Sequence, residues 1–173
     1  MKKGLLLILT LIMAFYMKAQ KTPCTTDPVY RQFDFWIGEW DVYAKNGKKA
    51  GDSKIDLILD SCIILENWKS ANVSQGVYYA GKSFNTYNAA TKQWQQTWVD
   101  NTGNTTEFLR GNGSDGKIVY YADKVMDPKG KSFMRRLTFT KLSNDKVRQF
   151  GERSDDEGKT WTTEYDLEYR RKK

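Results

Sequence analysis

The stretch Phe33-Asp34-Phe35-Trp36-Ile37-Gly38-Glu39-Trp40 decides the fold, and it runs straight into the strand-like alternation Asp41-Val42-Tyr43-Ala44. A glycine followed two residues later by a bulky indole suits a sharp turn into a first strand, with Trp40 plugging one end of a β-barrel. Phe33 to Trp36 are expected to form a short helical plug covering that indole. Barrels of this size commonly enclose one small ligand, so the motif predicts a cavity without naming its contents.

Working outward, the segments beyond Phe35 alternate with period two and are separated by turn chemistry. Ile55, Leu57 and Leu59 alternate with Lys54, Asp56 and Ile58. Trp161, Thr163, Tyr165, Leu167 and Tyr169 give the clearest half-buried strand. Turn signals recur at hairpin intervals, among them Asn46-Gly47, Thr102-Gly103-Asn104, Asp115-Gly116 and Asp127-Pro128-Lys129-Gly130. Strands are predicted near 38–45, 48–60, 62–70, 75–82, 83–88, 92–100, 104–111, 116–125, 132–141, 145–154 and 160–171, with 75–88 readable as one bent strand. The fold class is all-β: an antiparallel up-and-down barrel of about ten strands, in one domain over residues 21–173.

Residues 1–20 read as a signal peptide, with Lys2 and Lys3 before an apolar Gly4–Tyr16 core too short for a comfortable membrane span. Cleavage is expected near Ala19 or Gln20. The sequence before Cys24 lacks the pattern of a lipoprotein signal, so no stable membrane anchor is expected. The mature chain keeps 153 residues, and losing Lys2, Lys3 and Lys18 takes the net charge from +7 to +4. Its basic residues are interspersed with acidic ones except in the tail Arg170-Arg171-Lys172-Lys173, which reads as solvated; no nucleic-acid partner is expected. Export to a periplasmic or extracellular compartment would be oxidising, and Cys24 and Cys62 are the only two cysteines, so they are expected to pair.

The chain contains no histidine. That excludes Ser-His-Asp and Cys-His catalysis, His-containing zinc sites and a proximal-His haem. No metal and no cofactor is expected, and any chemistry would rest on Asp, Glu, Tyr, Lys, Arg or a bound cofactor.

Five ordered phrases carry a family resemblance: Cys24 with Phe33–Val42, Cys62-Ile63-Ile64-Leu65-Glu66-Asn67-Trp68, Lys82–Asn88, Trp94–Gly103, and Ser154–Trp161 running on to Tyr169-Arg170-Arg171. Together they resemble a family of secreted bacterial proteins of unknown function within the lipocalin-like calycin group. The resemblance implies a barrel and supplies no catalytic residue. The haem-binding relatives called nitrobindins use an axial histidine, which this sequence lacks.

The candidate site follows from strand parity. Trp94, Gln96, Trp98 and Asp100 share one face; turned inward, it presents two indoles with an amide between them and a carboxylate at the rim. The competing reading makes the indoles ordinary core filler. Glu66 shares a face with Ile64 and Trp68, and is either a buried anchor or a solvent-facing residue depending on which face turns in. Tyr87 shares a face with Asn85. Trp68, Tyr87, Trp94, Gln96 and Trp98, with Glu66, are therefore the expected lining of a cavity for a small, partly apolar molecule. Two alternatives stand beside binding: an enzyme using acid–base chemistry, with Glu66 and Arg136 as a convergent pair, and an interaction module with a filled barrel. Arg136 and Glu152 are also possible charge partners across neighbouring strands. Ser154-x-Asp156-x-Gly158-x-Thr160-Trp161 matches the Asp-box pattern, read here as a turn stabiliser with Trp161 packed beneath the hairpin.

Overall fold

The computed structural model describes residues 22–74 and 76–173. The expected signal peptide at 1–20 lies outside the described residues. Among the described residues, twelve strands follow three short helical turns: β1 (Gly38–Ala44), β2 (Lys49–Ile58), β3 (Ile63–Ser74), β4 (Val77–Asn88), β5 (Gln93–Asp100), β6 (Thr105–Phe108), β7 (Arg110–Ser114), β8 (Lys117–Tyr121), β9 (Val125–Met126), β10 (Ser132–Ser143), β11 (Lys146–Ser154) and β12 (Thr162–Arg171). They form one antiparallel sheet in the order β6-β5-β4-β3-β2-β1-β12-β11-β10-β8-β7, with β9 on β10. β6 pairs with β5 and β7 with β8, so the segment from Thr105 to Ser114 bridges the two ends of the sheet and nearly closes it. The Gln95 side chain reaches across this seam to the Leu109 carbonyl at 3.2 Å. The architecture is the expected all-β barrel, with slightly more strands than ten. The 75–88 region is a single strand from Val77, whereas the expected 104–111 strand divides at Leu109 and continues to Ser114.

One end is packed solid. Phe33, Trp36, Trp40, Val42, Ile55, Ile64, Trp94, Ile118, Tyr120, Leu137, Phe139, Val147 and Tyr169 form a buried cluster there. The segment Asp34–Trp36 is a 3-10 turn that folds into this end, stacking Trp36 on Phe33 with ring centroids 5.0 Å apart. Gly38 has φ +131°, which a residue with a side chain rarely adopts; this lets the chain swing from the plug into β1. Trp40 is fully buried and donates its indole N–H to the Trp36 carbonyl at 2.8 Å, as its role of closing the barrel end requires.

Two covalent and ionic clamps hold this end. Cys24 and Cys62 form the expected disulfide, tying the N-terminal arm to the start of β3. The basic tail departs from its expected solvated role: Arg171 lies over Trp40 and donates to the Ile37 carbonyl at 3.0 Å. Lys172 is paired with Asp52. The Asp-box hairpin is built as a turn stabiliser: Asp156 accepts from the Thr160 amide, Ser154 accepts from the Gly158 amide, and the Trp161 indole donates to the Gly158 carbonyl.

Candidate functional site

The inward face of each strand changes character along the barrel axis, and that change makes the site. Towards the plug, inward positions are apolar. Midway they become polar: Ser53, Glu66, Ser83, Asn85 and Gln96 are all buried. One inward position further towards the other end stand Trp68, Trp98 and Leu167, and beyond them Asp100 and Tyr165. These layers enclose a cavity of about 640 Å³, at the end of the barrel opposite the plug. That volume lies within the range of small-molecule sites. The barrel is therefore not filled throughout.

The aromatic walls leave this space open because of three glycines. A Cβ at Gly51 would strike the Trp68 ring, one at Gly81 the Trp98 ring, and one at Gly151 the Tyr165 ring. Each ring lies against bare backbone on the neighbouring strand, flat along the wall instead of projecting into the lumen. Glycine inside a strand marks such a close approach.

Beneath the rings, the floor is a connected polar network. Ser53 donates to Glu66 Oε1 at 2.8 Å and Ser83 to Glu66 Oε2 at 3.0 Å, while the Tyr169 hydroxyl lies 3.0 Å from Oε1. Asn85 donates through Nδ2 to the Ile64 carbonyl and to Ser83, and accepts from Gln96 Nε2 at 2.8 Å and from Tyr120. Burial pushes the Glu66 carboxyl up from its ordinary value, against the pull of the Ser53, Tyr169 and Ser83 hydroxyls. The same desolvation raises Tyr169, which also lies beside Glu66.

The rim carries charge. Asp100 Oδ2 accepts from the Tyr79 hydroxyl at 3.0 Å and the Trp98 indole at 3.3 Å, fixing both aromatics at the mouth. Burial works to raise the Asp100 pKa, yet the hydrogen bonds from Thr102, Tyr79 and the Asn104 amide hold it at about 2. Tyr79 is pushed up to about 12, by burial first and then by its bond to Asp100. Opposite, Arg135 holds Glu164 through Nε at 2.9 Å and Nη2 at 3.1 Å.

Of the residues expected to line the cavity, Glu66, Trp68, Gln96 and Trp98 do so, with the Trp98 face turned inward. Tyr87 and Trp94 do not: they share the inward face but lie nearer the plug. Trp94 is buried against Phe33 and donates to the Gln32 side chain at 3.0 Å, and Tyr87 packs edge-on against Tyr30. The N-terminal arm fills that part of the lumen, so core filling is right for Trp94 and cavity lining for Trp98. Glu66 and Arg136 both border the cavity but do not bond to each other. Arg136 is held by Glu152 at 2.7 and 2.9 Å and stacks over Trp161, while Glu66 is held by hydroxyls. Sequence reasoning missed Tyr79, Gln149, Tyr165 and Tyr169. The signal was present in the alternation of 161–169, whose inward face is Tyr165, Leu167 and Tyr169.

No family model and no curated protein matches this chain. Among solved structures it is similar to a de novo designed fluorescence-activating β-barrel, at 15% identity over 80% of this chain and 95% of that one, with a TM-score of 0.42. It is also similar to a redesigned β-barrel, at 13% identity over 81% and 94% of the two chains, with a TM-score of 0.39.

Proposed function

We propose that this protein is an exported barrel that binds a small, partly apolar molecule in the cavity above Glu66 and Gln96. The observation that carries the reading is the layering of the lumen: flat aromatic walls over a hydrogen-bonded floor, in a space of about 640 Å³. Trp68, Trp98 and Tyr165 supply stacking area for a planar or hydrophobic body, and the floor amides supply orientation. The secreted family that the sequence resembles, and a disulfide that needs an oxidising compartment to form, support export.

Binding describes this site better than acid–base catalysis. Both Glu66 oxygens are occupied by the hydroxyls of Ser53, Ser83 and Tyr169, so its carboxyl is committed to holding the floor together.

The test is a titration with two fluorescent probes, a fatty-acid analogue and a neutral naphthalene dye, read through quenching of tryptophan. Saturable binding at one site is expected for at least one of them. It should weaken about tenfold or more in Trp98→Leu, which removes a wall while the plug stays intact. Absence of saturable quenching by either probe overturns the reading.

A further inference from the structure

The floor network has a defined direction, and following its protons from one end to the other shows what it offers a ligand. The fixed point is the Ile64 backbone carbonyl, which accepts from Asn85 Nδ2 at 3.1 Å. A carbonyl only accepts, so the nitrogen of Asn85 must point there and its oxygen must point to Gln96. Gln96 therefore spends its Nε2 on Asn85 at 2.8 Å. Its Oε1 has no protein partner among the described residues and borders the cavity as an acceptor.

The other end is set by Tyr169. Its hydroxyl lies 3.0 Å from Glu66 Oε1 and 2.7 Å from Gln149 Oε1. One phenolic proton cannot serve two acceptors. With Glu66 protonated the count closes: Glu66 donates to the Tyr169 oxygen, Tyr169 donates to Gln149 Oε1, and Gln149 Nε2 is left facing the lumen as a donor. With Glu66 ionised, Tyr169 must donate to Glu66, and Gln149 must turn its nitrogen to Tyr169 and show its oxygen instead.

The surroundings of Glu66 favour the protonated arrangement. β2 brings Ser53, β4 Ser83, β5 Gln96, β11 Gln149 and β12 Tyr169. The titratable groups that feel its charge are the phenols of Tyr79, Tyr165 and Tyr169. From β10, Arg135 and Arg136 border the same cavity, but Glu164 and Glu152 hold them, and no cation among the described residues bonds to Glu66. Burial without a paired cation favours the neutral form of this carboxyl over the pull of its hydroxyl partners.

We propose that the cavity selects a neutral planar molecule with a hydrogen-bond donor towards one end, received by Gln96 Oε1, and an acceptor towards the other, held by Gln149 Nε2. This rests on the binding function proposed above and names the chemistry of its ligand. Trp68, Trp98 and Tyr165 grip the flat body, and Glu66 with Tyr169 sets the polarity of the Gln149 amide without touching the ligand.

The experiment compares four probes by calorimetry at mildly acid pH: naphthalene, a naphthol, an acetylnaphthalene, and an acetylnaphthol with its two groups at opposite ends. The naphthol and the acetylnaphthalene should each bind about fivefold tighter than naphthalene, and the acetylnaphthol tighter than either. Gln149→Leu should abolish only the advantage of the acetyl group, and Gln96→Leu only that of the hydroxyl. Glu66→Gln, whose amide donates to Tyr169 as the protonated acid does, should keep both. Equal binding of all four probes overturns the selection by Gln96 and Gln149 and leaves the cavity as a binding site. Binding of none of them overturns both.

Discussion

The guanidinium carbon of Arg171, near the end of the chain, lies 4.2 Å from the ring centroid of Trp40 at its beginning. From there Arg171 also donates to the carbonyls of Ile37 at 3.0 Å and Asn144 at 3.1 Å. The residue thus covers the indole that closes the barrel and ties the 3-10 plug to the last strand and the β10–β11 turn. First and last strands pair along Trp40–Ala44 and Leu167–Arg171, so this contact latches the seam where the chain meets itself.

Replacing Arg171 by methionine keeps apolar cover but loses the charge and both hydrogen bonds. The expected loss is about 2 kcal/mol, combining a partly desolvated cation–π contact with hydrogen bonds from a charged donor. Urea denaturation checks it. Trp40→Ala, which empties the barrel end, should cost more, about 3–5 kcal/mol.

The disulfide between residues 38 apart should contribute about 4 kcal/mol by the chain-entropy model. Reduction, or the double change Cys24→Ser and Cys62→Ser, should lower the melting temperature by several degrees. Peptide mapping without reductant should recover the linked pair. Cavity binding should persist, because the bridge lies at the plugged end.

Gly81→Ala puts a methyl group where the Trp98 ring lies against the wall. The ring must swing into the lumen and the Val99 carbonyl must also give way, so probe binding should fall at least tenfold, while stability drops by about 1–3 kcal/mol or more from overpacking. Fluorescence titration and thermal melting together separate the two effects.

Glu66 gives a pH signature. Burial raises its folded-state pKa above the ordinary 4.5. The folded protein then holds this proton more tightly than the unfolded chain. The stabilisation is complete below about pH 4.5 and is lost as the pH rises through the folded-state value. Glu66→Gln cannot ionise and should lack this loss. Melting curves of both proteins from about pH 4.5 upward should show wild type falling relative to the variant.

The sequence by itself determined the strand alternation, the hairpin turns, the role of Gly38 and Trp40 and the pairing of the two cysteines. These are local or counting properties: period two sets which residues share a face, glycine permits the turn, and two cysteines leave one partner each. Which face turns inward was decided only by closure, since Glu66 and Trp98 become lumenal when the pleat of every strand is fixed by its neighbours. Depth along the barrel was also beyond the sequence. Trp94 and Trp98 occupy the same face of one strand, yet one is filler and the other is wall, because the N-terminal arm fills the barrel only part of the way. The same holds at Gly51, Gly81 and Gly151. Each reads as a weak point within a strand until a neighbouring strand lays an aromatic ring across it.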